Sequence, residues 1–236
     1  LFRKHYSNDK EFKNTELSEE DIFYYVYAIF NDPKYKKMYN YDLRRKFPRI
    51  PLAKNFNQWS KIGKELFNLH CNFNNVREYG LEKKYKNVKK NKPKLSLTQK
   101  ISDLGSNSKN NTDSKIKIII DDSTTLEGVP PEALEYTIGS ESPLKCILDS
   151  YKESKNKISD KSSDDESVRK RFNTYKFEDH KESMIILLNK VTTVCVETVK
   201  LRNQLKEMEW GPQPKLKLTK IVKKDKKKSK KTAKAK

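Results

Sequence analysis

Only three of the 236 residues are cysteine, and Cys71, Cys146 and Cys195 stand far apart. An odd, scattered set excludes a disulfide framework and a CxxC motif, and it points to a reducing compartment in which all three serve as small core residues. Histidine is as scarce: His5, His70 and His180 form no ligand cluster, and His70 reads as a packed or surface residue. No run of eighteen apolar residues is present and no signal-peptide pattern opens the chain, so membrane insertion and export are not expected. Also missing are the GxxxxGKS/T phosphate loop, the GxGxxG turn, the nucleophile elbow and the HExxH pair. No catalytic, cofactor-binding or metal site is therefore expected. The chain opens at Leu1 in mid-phrase, and a piece of something longer is anticipated.

What is abundant is positive charge. Fifty-two basic residues against 32 acidic ones leave a net +20, a balance that favours polyanions, nucleic acid first. Residues 215–236 hold twelve lysines and one aspartate, but the rest of the chain is basic too. That tail has almost nothing apolar to offset its ordering entropy and is expected to be disordered. With 34% hydrophobic and 36% charged residues, one modest core with long polar excursions is anticipated.

Ser18 followed by Glu19, Glu20 and Asp21 starts a helix, with Ile22, Tyr25, Val26, Ile29 and Phe30 at helical spacing. Asp32 and Pro33 end it and begin a second, whose inner face should carry Tyr35, Met38, Leu43 and Phe47. A third runs from Phe56 to about Phe73, with Trp59, Ile62, Leu66 and Leu69 on one stripe. Short strands follow Tyr79, and the strongest strand pattern lies over 115–120, closed by Asp121, Asp122 and Ser123. Pro130-Pro131 turns into a short helix holding Leu134 and Tyr136, and Ser142-Pro143 starts another with Leu144, Ile147, Leu148 and Tyr151 inward. The last helix spans about 178–208, and its β-branched residues imply burial. The fold class is α+β, helix-predominant, with a small central β element and a disordered lysine-rich C-terminal tail. Residues 1–17 form a partly disordered lead-in, 18–210 the domain, with polar loops at about 105–114 and 153–170, and 211–236 the basic tail.

The carboxylate pairs Asp121-Asp122 and Asp164-Asp165 fall in turns, where Asp caps nearby amides. Basic residues interleaved with aromatics carry more information. Arg44, Arg45 and Arg49, with Lys46 and Lys54, lie around a helix end, and Lys83, Lys84 and Lys86 surround Tyr85. Arg can bond guanine edges through two donors and Lys finds phosphates, so these positions are the candidate DNA contacts.

Three stretches carry a resemblance. The run EDIFYYVYAIFNDPKYKKMYNYDLRRKFPRIPLAKNFNQWSKIGKELFNLHCNF, the phrase TTLEGVPPEALEYTIGSESPLKCILDSYK and the helix KVTTVCVETVKLRNQL occur in that order. Together they resemble the C-terminal specificity domain of Type ISP restriction-modification enzymes, over roughly 20–205. The resemblance implies a non-catalytic domain that reads an asymmetric sequence in double-stranded DNA. Its partners would be the upstream methyltransferase and helicase/nuclease domains of the parent enzyme, in the bacterial cytoplasm at the nucleoid. Arg49 to Leu52, Trp59, Gly63, Glu65, Leu66, Leu69, Gly128, Pro130, Glu132, Ala133 and Tyr136 match the family's phrases and read as mainly architectural. The competing readings are a non-specific basic DNA-binding scaffold, a decayed remnant of such an enzyme, and a nuclease with an unfamiliar site.

Overall fold

The structure is a computed structural model that describes residues 17–45, 48–89, 91–98, 116–153 and 175–211. Helix α1 (Glu19–Asn31) begins with a reciprocal cap. The Ser18 hydroxyl accepts from the Asp21 amide at 3.0 Å, and the Asp21 carboxylate accepts from the Ser18 amide at 3.3 Å. Asp32 then serves two helices: its amide donates back to Ala28 and Ile29, and its carboxylate accepts from Lys34 at the start of α2 (Pro33–Leu43). Helix α3 (Phe56–Cys71) packs along α1 so closely that a β-carbon on Gly63 would lie 1.8 Å from the Tyr24 carbonyl oxygen. Tyr25 stacks on Phe56 at 4.7 Å, and Trp59, Ile62 and Leu66 complete this first core.

A single 3-10 turn, Phe73–Asn75, leads to the sheet. Strands β1 (Glu82–Tyr85), β2 (Pro93–Leu97), β3 (Ile116–Asp121) and β4 (Thr124–Val129) form an antiparallel sheet of order β1-β4-β3-β2. Alternation places Ile116, Ile118 and Ile120 of β3 inward, and Leu126 and Val129 of β4 are buried with them, on either side of Gly128 at φ +84°. They meet the short α4 (Glu132–Glu135), α5 (Pro143–Ser150) and the long α6 (Phe177–Glu207) in a second core. Helix α6 joins the two cores, giving Met184, Ile185, Leu188 and Cys195 to the second and Leu205 to the first. Its 31 residues span about 46 Å at the usual rise per residue.

The architecture is the expected helix-rich α+β fold, with three corrections. Cys71 and Cys146 are exposed, and only Cys195 is a core residue, its thiol pushed up to about 12 by burial. On α2 only Tyr35 is buried among the described residues of the expected stripe, whereas Met38 and Leu43 are exposed. That helix packs instead through Tyr35 and Tyr39 onto Trp210, 175 and 171 positions away. Helix α3 stops at Cys71, before Phe73. Strand β4 is an element that the local pattern did not announce. The lead-in through residue 16, Lys46, Phe47, the polar stretches 105–114 and 154–170 and the tail 212–236 lie outside the described residues.

Candidate nucleic-acid interface

The basic positions singled out by sequence fall into two groups on different frameworks. Arg44 and Arg45 end α2, with the Arg45 guanidinium 4.5 Å from the centre of the Tyr41 ring. Arg49 follows in the extended segment before α3. Its carbonyl accepts from the Tyr35 hydroxyl at 2.9 Å, while its side chain is exposed. The adjoining Pro51 carbonyl accepts from the buried Tyr25 hydroxyl at 2.7 Å, and that hydroxyl accepts from the Ala53 amide at 2.9 Å. These bonds hold the segment 49–53 against α1, as an architectural reading of the Arg-Ile-Pro-Leu phrase requires. Lys54 reaches Glu209 at 3.2 Å, across the solvent-exposed end of α6.

The second group sits on β1, whose course is set by α6. Asn189 is buried, accepts from the amides of Gly80 and Leu81 at 3.2 and 2.8 Å, and donates to the Ile185 carbonyl. Thr193 and Lys190 bond the Arg77 and Asn74 carbonyls, so the chain approaching β1 is pinned at several points. Register then pairs Lys83 with Leu126, Lys84 with Thr125 and Tyr85 with Thr124. Lys83 bonds Glu182 of α6 at 2.9 Å, and Lys84 bonds Glu82. Those hydrogen bonds raise both ammonium pKa values. Tyr85 is 67% exposed, and Lys86 is exposed while its amide donates to the Ser123 carbonyl at 2.7 Å.

The turn that receives Lys86 has its own electrostatic lock. The Asp121 carboxylate accepts from the Ser123 and Thr124 amides and meets the Lys181 ammonium of α6 at 2.7 Å. Burial alone would raise this carboxyl, but the Lys181, Ser123 and Asn91 hydrogen bonds outweigh it and hold the pKa at about 2. Asp121 is thus a structural turn residue, as its position implies, and Asp164-Asp165 lies outside the described residues.

Of the eight candidates, Lys54, Lys83 and Lys84 are already engaged by carboxylates, while Arg44, Arg45, Arg49 and Lys86 carry no ion pair in the described residues. The two groups are not brought together. Lys54 is tied beyond one end of α6 and Lys83 near the other, and the 27 positions from Glu182 to Glu209 place the anchors on the order of 40 Å apart. Sequence reasoning missed Asn189 and Glu182, which fix β1. A lone Asn inside the apolar run before Val191 was the available signal. Among the described residues no three His, Cys, Asp or Glu side chains could hold a metal ion, and no helix is long and apolar enough to cross a membrane.

Comparison with known proteins places these features in a family. The profile of the Type ISP C-terminal specificity domain matches residues 2–187. No curated protein matches the chain. Among solved structures, a cryo-EM structure of a DrdV–DNA complex is 36% identical with a TM-score of 0.68, covering 86% of this chain and 19% of that one. The ATP-dependent Type ISP restriction-modification enzyme LlaBIII bound to DNA is 28% identical with a TM-score of 0.58, over 84% of this chain and 12% of that one. A nuclease-deletion mutant of the Type ISP enzyme LlaGI, in complex with a DNA substrate mimic, is 28% identical with a TM-score of 0.56, over 82% and 14%. The chain therefore spans under a fifth of the length of these relatives. A match over residues 2–187, joined to a likeness of fold at 36% identity, means that the chain belongs to the Type ISP C-terminal specificity domain family.

Proposed function

We propose that this chain recognises a DNA sequence on behalf of a larger restriction-modification enzyme and performs no catalysis itself. The observation that carries the reading is the family membership, joined to a likeness over most of the chain to relatives solved with DNA. The +20 charge is consistent with a polyanionic partner. Arg44, Arg45, Arg49, Lys54, Lys83, Lys84, Tyr85 and Lys86 are the proposed DNA contacts, with the unpaired arginines as the better base readers and the lysines as phosphate contacts. Anchors on the order of 40 Å apart would let the two groups touch sites about one helical turn apart on a duplex.

In this reading the methyltransferase and helicase/nuclease work belongs to other domains, the chain needs no cofactor of its own, and the assembly acts on intracellular DNA at the nucleoid. Selection from a random duplex pool at about 200 mM salt, where lysine–phosphate binding is suppressed, tests it with the full chain and with a form ending at Gln213. An enriched asymmetric motif in both forms is the expected result. Binding that vanishes with salt and enriches nothing would favour a basic scaffold, and nicking of plasmid in magnesium by the purified chain would overturn the non-catalytic assignment.

A further inference from the structure

Among the described residues, two of the five Lys and Arg side chains of α6 pair with a carboxylate and a third, Lys190, bonds the Asn74 carbonyl. Lys181 has Asp121 and Lys200 has Glu197, while Lys83 and Lys145 on neighbouring elements reach Glu182 and the pair Glu141 and Asp149. Arg202 does not. Its Nε is buried with no acceptor among the described residues, and no described carboxylate forms an ion pair with its guanidinium. The group lies 5.8 Å from the centre of the Tyr136 ring, just past the end of α4.

Tyr136 is itself held. The His70 ring stacks on it at 5.9 Å with 19° between planes, and both His70 nitrogens are committed, Nδ1 to the Tyr27 hydroxyl at 2.7 Å and Nε2 to the Thr198 hydroxyl at 2.9 Å. Thr198 is one helical turn before Arg202, so the same face of α6 positions the ring and carries the guanidinium. Burial first, and then the nearby Lys36 and Arg202 charges, lower the His70 pKa, so its imidazole is neutral at pH 7 and adds no charge. Lys36 of α2 completes the group. The residue as a whole is exposed, yet burial of its ammonium end and then the Arg202 charge lower its pKa. Neither Lys36 nor Arg202 forms an ion pair with a described carboxylate, and the Arg202 charge is felt at Lys36, so the like charges are left uncompensated.

We propose that Arg202 and Lys36 form a seat for a backbone phosphate of bound DNA, with Tyr136 and His70 as positioning residues. The planar guanidinium offers two donors to phosphate oxygens, and the ammonium adds a point charge. This inference rests on the DNA-recognition reading above, and it adds a contact that the basic clusters in the sequence do not include.

The test measures the salt dependence of binding of the full chain to a mixed-sequence duplex between about 50 and 300 mM salt. Each lost phosphate contact lowers the slope of log affinity against log salt by about 0.9. R202M and K36M are each expected to show that loss. R202K, which keeps a point charge, should keep the slope with weaker affinity, and K145M, whose carboxylate partners already engage it, should match the parent. Unchanged slopes in both R202M and K36M would overturn the seat, as would an equal loss in K145M. Circular dichroism melts accompany every variant, and if R202M unfolds the exposed Lys36 position carries the test. A melting-temperature rise in inorganic phosphate alone that R202M abolishes, with duplex slopes unchanged, would assign the seat to a small anion and overturn the DNA contact. Failure of the pool selection strikes the sequence-reading proposal instead, so the two outcomes are separable.

Discussion

Replacing Asp121 by asparagine isolates the electrostatic lock between the sheet and α6. The Asp121 side chain is 2% exposed and meets Lys181, itself 20% exposed, at 2.7 Å. Its pKa falls from an ordinary 3.8 to about 2 on folding, and at about 1.36 kcal/mol per pKa unit this contributes about 2 kcal/mol to stability near neutrality. A carboxyl depressed in the folded state binds more protons when unfolded, so the contribution is full above pH 4 and is lost as pH falls through about 2. Asparagine keeps an oxygen for the Ser123 and Thr124 amides, and Lys181 keeps the Thr124 hydroxyl at 2.6 Å and some access to water. The cost at pH 7 should therefore lie near about 2–3 kcal/mol, at the low end for a broken buried pair. Urea unfolding followed by far-ultraviolet circular dichroism at steps from pH 7 to pH 2.5 measures the gap between parent and D121N. The gap should be full at pH 7 and 5 and narrow steadily below 4. A gap under about 0.5 kcal/mol at pH 7, or one that does not narrow in acid, would refute the pairing as a stabilising interaction.

Three further substitutions probe the parts that position the candidate contacts. Gly63→Ala drives a methyl into the Tyr24 carbonyl, which is backbone and cannot swing aside. It should cost about 3 kcal/mol or more and is checked by the denaturation midpoint. Tyr25→Phe removes the hydroxyl shared by the Pro51 carbonyl and Ala53 amide, with an expected loss of about 1–3 kcal/mol, and amide exchange at Ala53 should quicken. Asn189→Ala leaves the Gly80 and Leu81 amides without their side-chain acceptor. Stability should fall by about 2 kcal/mol or more, and exchange at Leu81 should rise while that at Ile62 stays slow.

The elements announced by local chemistry were legible because their causes are local. Ser18 with Asp21, Asp32 with Pro33, and Ser142 with Pro143 each begin a helix within four residues of the signal. Strand β4 was not legible, since Thr124–Val129 contains one glycine and few apolar residues, and it extends because β1 and β3 satisfy it on both sides. The inner face of α2 depends on Trp210, which no pattern within the helix can announce. The charges of Lys83 and Lys84 were readable, but their neutralisation by Glu182 and Glu82 was not, because the first partner is 99 positions away. No local pattern sets Arg202 apart from the other basic residues of the chain, and only the fold brings Tyr136 and His70 beside it.

Helix α6 has a role that neither core could fill alone. A specificity domain must hold its contacts at fixed separations, because a misplacement of an ångström weakens every hydrogen bond to a base edge. Here one buried helix carries Lys181 and Asn189 against the sheet and Leu205 against the helical core. Its twelve buried residues make bending costly, so the candidate contacts on β1 and on the α2–α3 segment are referred to the same rigid axis. That arrangement accounts for the polar residues admitted into its interior face. Asn189, Thr192 and Thr198 are buried, and Asn189 and Thr198 bond groups on other elements. An apolar replacement at either site would preserve packing volume more readily than it would preserve the position of β1 or of the His70–Tyr136 pair. Thr198→Val, which keeps the shape of the side chain while removing its bond to His70, should consequently weaken duplex binding alike across sequences in a fluorescence-anisotropy titration while moving the denaturation midpoint little.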